Sequence, residues 1–143
     1  MNITGCRFHT EDDSIAVKPG RDEDGLRVGV LTTNKQRGGA IDGVYVRRFT
    51  GRQIDRDCIY LTTRYAGQTG DRPAVIRNVH VQDMVHDGAR RAINLEGLDS
   101  DRFQHIRIEH CDFTDITEPD VIESAPDLVR KKVFVNGTEV TYP

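Results

Sequence analysis

Phe103-Gln104-His105-Ile106-Arg107-Ile108-Glu109-His110-Cys111-Asp112-Phe113 is the stretch on which the fold turns. Its centre, Ile106-x-Ile108, alternates apolar and polar residues, which is a strand signal; a helix needs apolar partners three and four residues apart along a longer run. The pattern recurs upstream as Ile76-x-x-Val79-x-Val81-x-x-Met84, as Ile41-x-x-Val44-x-Val46-x-x-Phe49 and, shortened, as Ile3-x-x-Cys6-x-Phe8. Val44 and Val79 are 35 residues apart, Val79 and Ile106 only 27. A strand unit repeated at a spacing that varies by loop insertion describes a solenoid.

A second, shorter set lies about half a period downstream of the first: Ile15-Ala16-Val17, Ile59-Tyr60-Leu61 and Ala92-Ile93-Asn94-Leu95. Two strands per coil, separated by polar turns, wind the chain round a flattened tube. Thr50 to Asp57 and Gly67 to Pro73, rich in Gly, Asp, Arg and Gln, are then expected to protrude as loops. An antiparallel sandwich would also supply many short strands, but its tight hairpin signals are mostly missing. The one good two-residue turn is Asn136-Gly137, between Val133-Phe134-Val135 and Thr138-Glu139-Val140, near the end of the chain. The expected class is all-β, a single parallel β-helix domain over residues 1–143. Cys6 and Cys111 follow Ile3 and Ile108 at the same offset, so both are expected to point inward.

Composition narrows the function classes. The hydrophobic fraction is 36%, mean hydropathy is -0.55 and net charge is -3, which suits one elongated domain. The 20 basic and 23 acidic residues are interleaved along the sequence, which argues against a nucleic-acid surface. The three cysteines are widely spaced with no C-x-x-C, so neither a disulfide framework nor a zinc site is indicated. The five histidines are scattered, His105 and His110 are wrongly spaced for a helical metal pair, and all are read as surface or coil-edge residues. No metal or cofactor is expected. No basic stretch followed by an apolar run opens the chain, and no apolar segment approaches the ~20 residues of a membrane helix, so the chain as it stands reads as soluble and unexported.

Carboxylates supply the first chemical signal. Asp12-Asp13 stand immediately before the strand Ile15-Ala16-Val17 and the turn Pro19-Gly20. On a flat strand neighbouring side chains point to opposite faces, which would drive one acid into the core as an unpaired ion. A turn that aims both outward avoids that. Alone, such a pair is a solvated acidic turn or an Asx turn.

With repeat and acid pair together, the chain resembles glycoside hydrolase family 28, the polygalacturonases and related pectin-degrading enzymes, which are right-handed parallel β-helices. The resemblance rests on Asn2-Ile3-Thr4-Gly5-Cys6-Arg7-Phe8 followed by Asp12-Asp13-Ser14-Ile15-Ala16-Val17-Lys18-Pro19-Gly20. There the family reads N-x-x-C-x-F and then G-D-D-x-x-A-I-K-S-G. It continues through Arg21 to Gly29, Thr33 to Gly39, Val44-Tyr45-Val46-Arg47 and the region from Tyr65 to Val79, so it covers most of the chain. The resemblance implies inverting hydrolysis of a galacturonic-acid polymer, with one carboxylic acid protonating the leaving oxygen and another carboxylate, roughly 6.5–9.5 Å away, activating water. Asp12 matches the general acid and Asp13 a water-activating base. Lys18 and Arg21 are the cations available to a uronate group, and Tyr65 is a candidate sugar-stacking platform.

The departures fall on the catalytic elements. No N-T-D segment precedes the acid pair, no histidine is flanked by glycines, Val30-Leu31-Thr32 stand where the family has R-I-K, and Glu11 replaces the glycine before Asp12. The expectation is a shortened family member, lacking upstream coils and an internal stretch of about two coils, that hydrolyses pectin poorly. The contrasting expectation is a non-catalytic β-helix that binds carbohydrate or serves as a structural or assembly module. An uncapped coil end would also promote self-association.

Overall fold

The computed structural model describes residues 2–4, 7–8, 16–17, 40–63, 75–97 and 102–141. Among these the chain is all-β, and no helix is long and apolar enough to cross a membrane. A seven-stranded sheet contains β1 (Asn2–Thr4), β2 (Arg7–Phe8), β4 (Ala40–Arg52), β6 (Val75–Ala89), β8 (Arg102–Ile116), β10 (Val129–Val135) and β11 (Thr138–Glu139). A four-stranded sheet contains β3 (Ala16–Val17), β5 (Asp57–Thr62), β7 (Arg91–Glu96) and β9 (Val121–Ile122). The orders are β1-β4-β6-β8-β10-β11, with β2 also on β4, and β3-β5-β7-β9. All pairs are parallel except the β10–β11 hairpin, which closes through Asn136-Gly137 with Phe134 opposite Glu139. From β4 to β9 the chain alternates between the sheets, each strand stacking on the next of its own set. The register is the one the repeat implies: Val44 faces Val79, and Val79 faces Ile106.

The two-residue gaps in the repeat have a physical origin. Along β4 and the residue just after it, and within β6 and β8, left-handed residues recur every five positions: Gly43, Arg48 and Gln53; Asn78, Asp83 and Gly88; His105, His110 and Asp115. The register aligns them into three columns, so each long strand bends at the same level as its neighbours. A residue at φ near +50° turns the chain and lets the residues on both sides of the gap point inward, as Ile41 with Val44 and Val46 with Phe49 do. The backbone strain of a non-glycine left-handed residue, on the order of 1 kcal/mol, is offset by the burial each bend permits. At the end of the stack Asn136 closes the turn after β8, its Oδ1 accepting from the Ile116 N–H at 3.0 Å and its Nδ2 donating to the Ile116 carbonyl at 2.8 Å.

Inward side chains form columns of complementary size. Phe49, Met84, Cys111 and Val133 stack in one, all at most 1% exposed. In the next, Gly51, His86 and Phe113 are level. Gly51 has to lack a side chain: a Cβ there would fall 2.7 Å from His86 Nε2 and 2.8 Å from Phe49 Cε1. The column Val46, Val81, Ile108 ends on Arg130, which is drawn inward by its ion pair with Asp120 at 3.0 Å.

Several expectations are corrected. Thr50, Gly51 and Arg52 belong to β4 and Asp57 to β5, so the expected loop from Thr50 to Asp57 shrinks to residues 53–56, since the third bend column keeps the backbone paired further than its polar composition suggests. His86 is not a surface histidine but fully buried, because Gly51 makes room for its ring. Strand β9 and the first half of β10 carry too little alternation to have been anticipated. Cys111 points inward as expected, and Cys58 is buried too; Cys6 and the loop from Gly67 to Pro73 lie outside the described residues.

Candidate functional site

Strand β3 directly follows the acid pair in sequence and heads the four-stranded sheet, with Ala16 opposite Tyr60 and Tyr60 opposite Asn94. In β5 and β7 the core face is occupied by Ile59, Leu61, Ile93 and Leu95, so alternation aims Tyr60, Asn94 and Glu96 to the other side. That side is closed over as well: Cys58, Thr62 and Asn94 are at most 1% exposed.

These residues form a connected polar network. Asp57 is buried and receives Arg90 through both carboxylate oxygens, Nε to Oδ1 at 3.2 Å and Nη2 to Oδ2 at 3.1 Å. Asn94 Nδ2 donates to Asp57 Oδ2 at 2.8 Å and to Glu96 Oε1 at 3.1 Å, and the Tyr60 hydroxyl donates to Glu96 Oε2 at 3.0 Å. Arg91 stands 3.6 Å from Asp57 and pairs with Glu118 on the following turn. An ionised buried carboxylate is tolerable only with such partners. The Asp57 bond in turn raises the Arg90 pKa above its ordinary value. Asn94 Oδ1 is buried without a hydrogen-bond partner among the described residues.

Beside the network, an open groove of about 390 Å³ crosses the turns after β4, β6 and β8, lined in part by Gln53, Asp55, Arg90, Asp115, Thr117 and Glu118. Arg90 thus belongs to both features. Nearby, burial raises the Asp120 pKa although the Ile93 N–H and Arg130 oppose the shift. Burial pushes the Cys111 thiol up to about 11 and the Cys58 thiol, beside Asp57, higher still, so neither is a thiolate at neutral pH. Among the described residues no group of three or more His, Cys, Asp or Glu is arranged to hold a metal ion.

The residues expected from sequence to carry chemistry, Asp12, Asp13, Lys18, Arg21 and Tyr65, all lie outside the described residues. Sequence reasoning did not single out the network. Asn94 and Glu96 were within reach, since they alternate with Ile93 and Leu95 and must face away from them. Asp57 and Arg90 were not, because 33 residues separate them and only the stacking of turns joins them. No protein-family model, characterised protein or solved structure matched the chain.

Proposed function

We propose that the two ladders are faces of a right-handed parallel β-helix related to glycoside hydrolase family 28, and that the protein acts on galacturonic-acid polymers by inverting hydrolysis with impaired efficiency. The observation that carries this reading is the pairing of Ala16–Val17 with Tyr60–Leu61. It ties the strand after Asp12-Asp13 to the head of a parallel ladder with polar residues on its non-core face. In this reading Asp12 is the general acid, Asp13 activates water, and Lys18, Arg21 and Tyr65 meet the uronate chain. The impairment follows from Val30-Leu31-Thr32 standing in place of the family's R-I-K and from the missing glycine-flanked histidine. Catalytic groups act as a unit, so each missing member costs orders of magnitude in rate.

A reducing-sugar assay on polygalacturonate, with Asp12→Asn in parallel, tests the proposal. The expected outcome is weak turnover that the substitution removes. Turnover at the rate of an intact enzyme would overturn the impairment; turnover indifferent to Asp12→Asn would overturn the assignment of the acid.

A second reading, a non-catalytic carbohydrate-binding or structural module, is favoured by one observation. Asp57 and Glu96, the carboxylates in the network on β5 and β7, are both engaged by neighbouring donors rather than available for proton transfer. Binding of polygalacturonate with no turnover would select it.

A further inference from the structure

The interleaving of charge along the sequence does not survive folding. On the middle segments of β4, β6, β8 and β10, between and including the second bend column, the outward positions carry five Lys or Arg against two acids. That is a formal excess of three positive charges on a chain whose net charge is -3. Glu109 is already engaged, accepting from Arg107 at 3.2 Å and contacting His80 at 2.9 Å, and Asp83 lies 3.9 Å from His110. Burial works against ionisation of Glu109, but the bonds from Arg107 and His80 outweigh it and keep its pKa below the ordinary value.

Four cations are left over. Arg47 and Arg48 on β4 and Lys131 and Lys132 on β10 are exposed, and their side chains make no hydrogen bond or ion pair among the described residues. Parallel strands stack about 4.8 Å apart, so three strand steps set the two pairs about 14 Å from each other along the ladder. Between them the face is a continuous sheet surface, with Tyr45 46% exposed at the β4 end. Two cation pairs so far apart cannot share one small anion. They match a polymer whose negative charges are spaced along an extended backbone. A nucleic-acid duplex, with one charge per ~1.7 Å, would crowd phosphates over Asp83 and Glu109. The carboxylates of a uronate chain are sparser, and a tyrosine ring is a suitable surface for the apolar face of a sugar.

We infer that this face is a second, non-catalytic binding surface for an acidic polysaccharide, gripping a uronate chain at Arg47 and Arg48 and again at Lys131 and Lys132. The inference rests on the proposed galacturonan reading for the identity of the polymer. It gives the protein a way to stay on a long chain independently of the Asp12-Asp13 site.

The test is equilibrium binding of polygalacturonate to the full chain and to two variants, Lys131→Ala with Lys132→Asn and Arg47→Ala with Arg48→Asn. Asn is used where the backbone is left-handed, and circular dichroism checks that each variant folds. Methyl-esterified polygalacturonate and a single-stranded oligonucleotide complete the set. Each double variant is expected to bind roughly three- to ten-fold more weakly, and binding to fall with added salt. The esterified polymer should bind poorly to the parent and to both variants. Unchanged binding in both double variants would overturn the inference while leaving the galacturonan reading standing. Failure of the parent to bind polygalacturonate would overturn both. Tighter, Lys131-dependent binding of the oligonucleotide would assign the face to a different polymer and overturn the inference.

Discussion

The seven-stranded and four-stranded sheets use their two faces differently. In the first, the inner face is a set of apolar columns and the outer face is charged and open, as between Val81 and Ile108 within and His80 and Glu109 without. In the second, Cys58, Thr62 and Asn94 are buried on the side away from Ile59 and Ile93, and Asp57, Asn94 and Glu96 form a bonded chain. The difference teaches where stability and specificity reside. Apolar columns contribute stability roughly in proportion to buried area and accept a range of shapes. A buried polar network tolerates only its own register, since a one-residue slip would strand Asp57 without Arg90 and Asn94.

That contrast can be broken first in the apolar columns. Phe103 is fully buried opposite Ile76, and Phe103→Ala should cost about 3–5 kcal/mol, lowering the melting temperature by roughly 10–15 °C in a thermal unfolding scan. A drop of only a few degrees would mean that the columns are looser than their burial implies.

Next comes the network. Asp57→Ala should destabilise by about 2–3 kcal/mol in urea titration, because Asn94 and the two arginines lose their shared acceptor. Adding Arg90→Ala should cost little more, since the two residues act on one another; full additivity would show them to be independent.

The smallest effect is expected at His86, a polar side chain level with Gly51 and Phe113 in an apolar column. Burial lowers its pKa from the ordinary 6.5, with Asp87 opposing the shift. The unfolded chain therefore takes up a proton that the folded chain resists. The stability associated with neutral His86 is complete above 6.5 and is lost as pH falls from there toward the lowered folded value. His86→Gln should flatten the dependence of unfolding free energy on pH below 6.5. An unchanged slope would place that dependence on other groups.

Much of the architecture was legible in the repeat. Val44, Val79 and Ile106 were aligned from sequence with the register the strands adopt, because alternation and spacing are local properties that a stacked ladder reads directly. The hairpin at Asn136-Gly137 was legible for the same reason, a two-residue turn having its own chemistry. The bends were not. Asn78 and Gly88 are ordinary left-handed residues, whereas Arg48, Gln53 and Lys132 adopt that conformation in register with the bends of the neighbouring strands. The same limit hid His86, whose burial depends on a glycine 35 residues away.

Sequence by itself determined much of the strand pattern, the alignment of β4, β6 and β8 and the inward side of each of these strands, since these follow from the order of apolar and polar residues along one chain. Only the tertiary structure decided which charges meet. Asp57 acquires Arg90 and Asn94, and Arg47 and Lys131 come to share a face, through contacts between strands and turns dozens of residues apart. Electrostatic energy depends on distance in space, and pairing parallel strands replaces the spacing along the chain with steps of about 4.8 Å between strands.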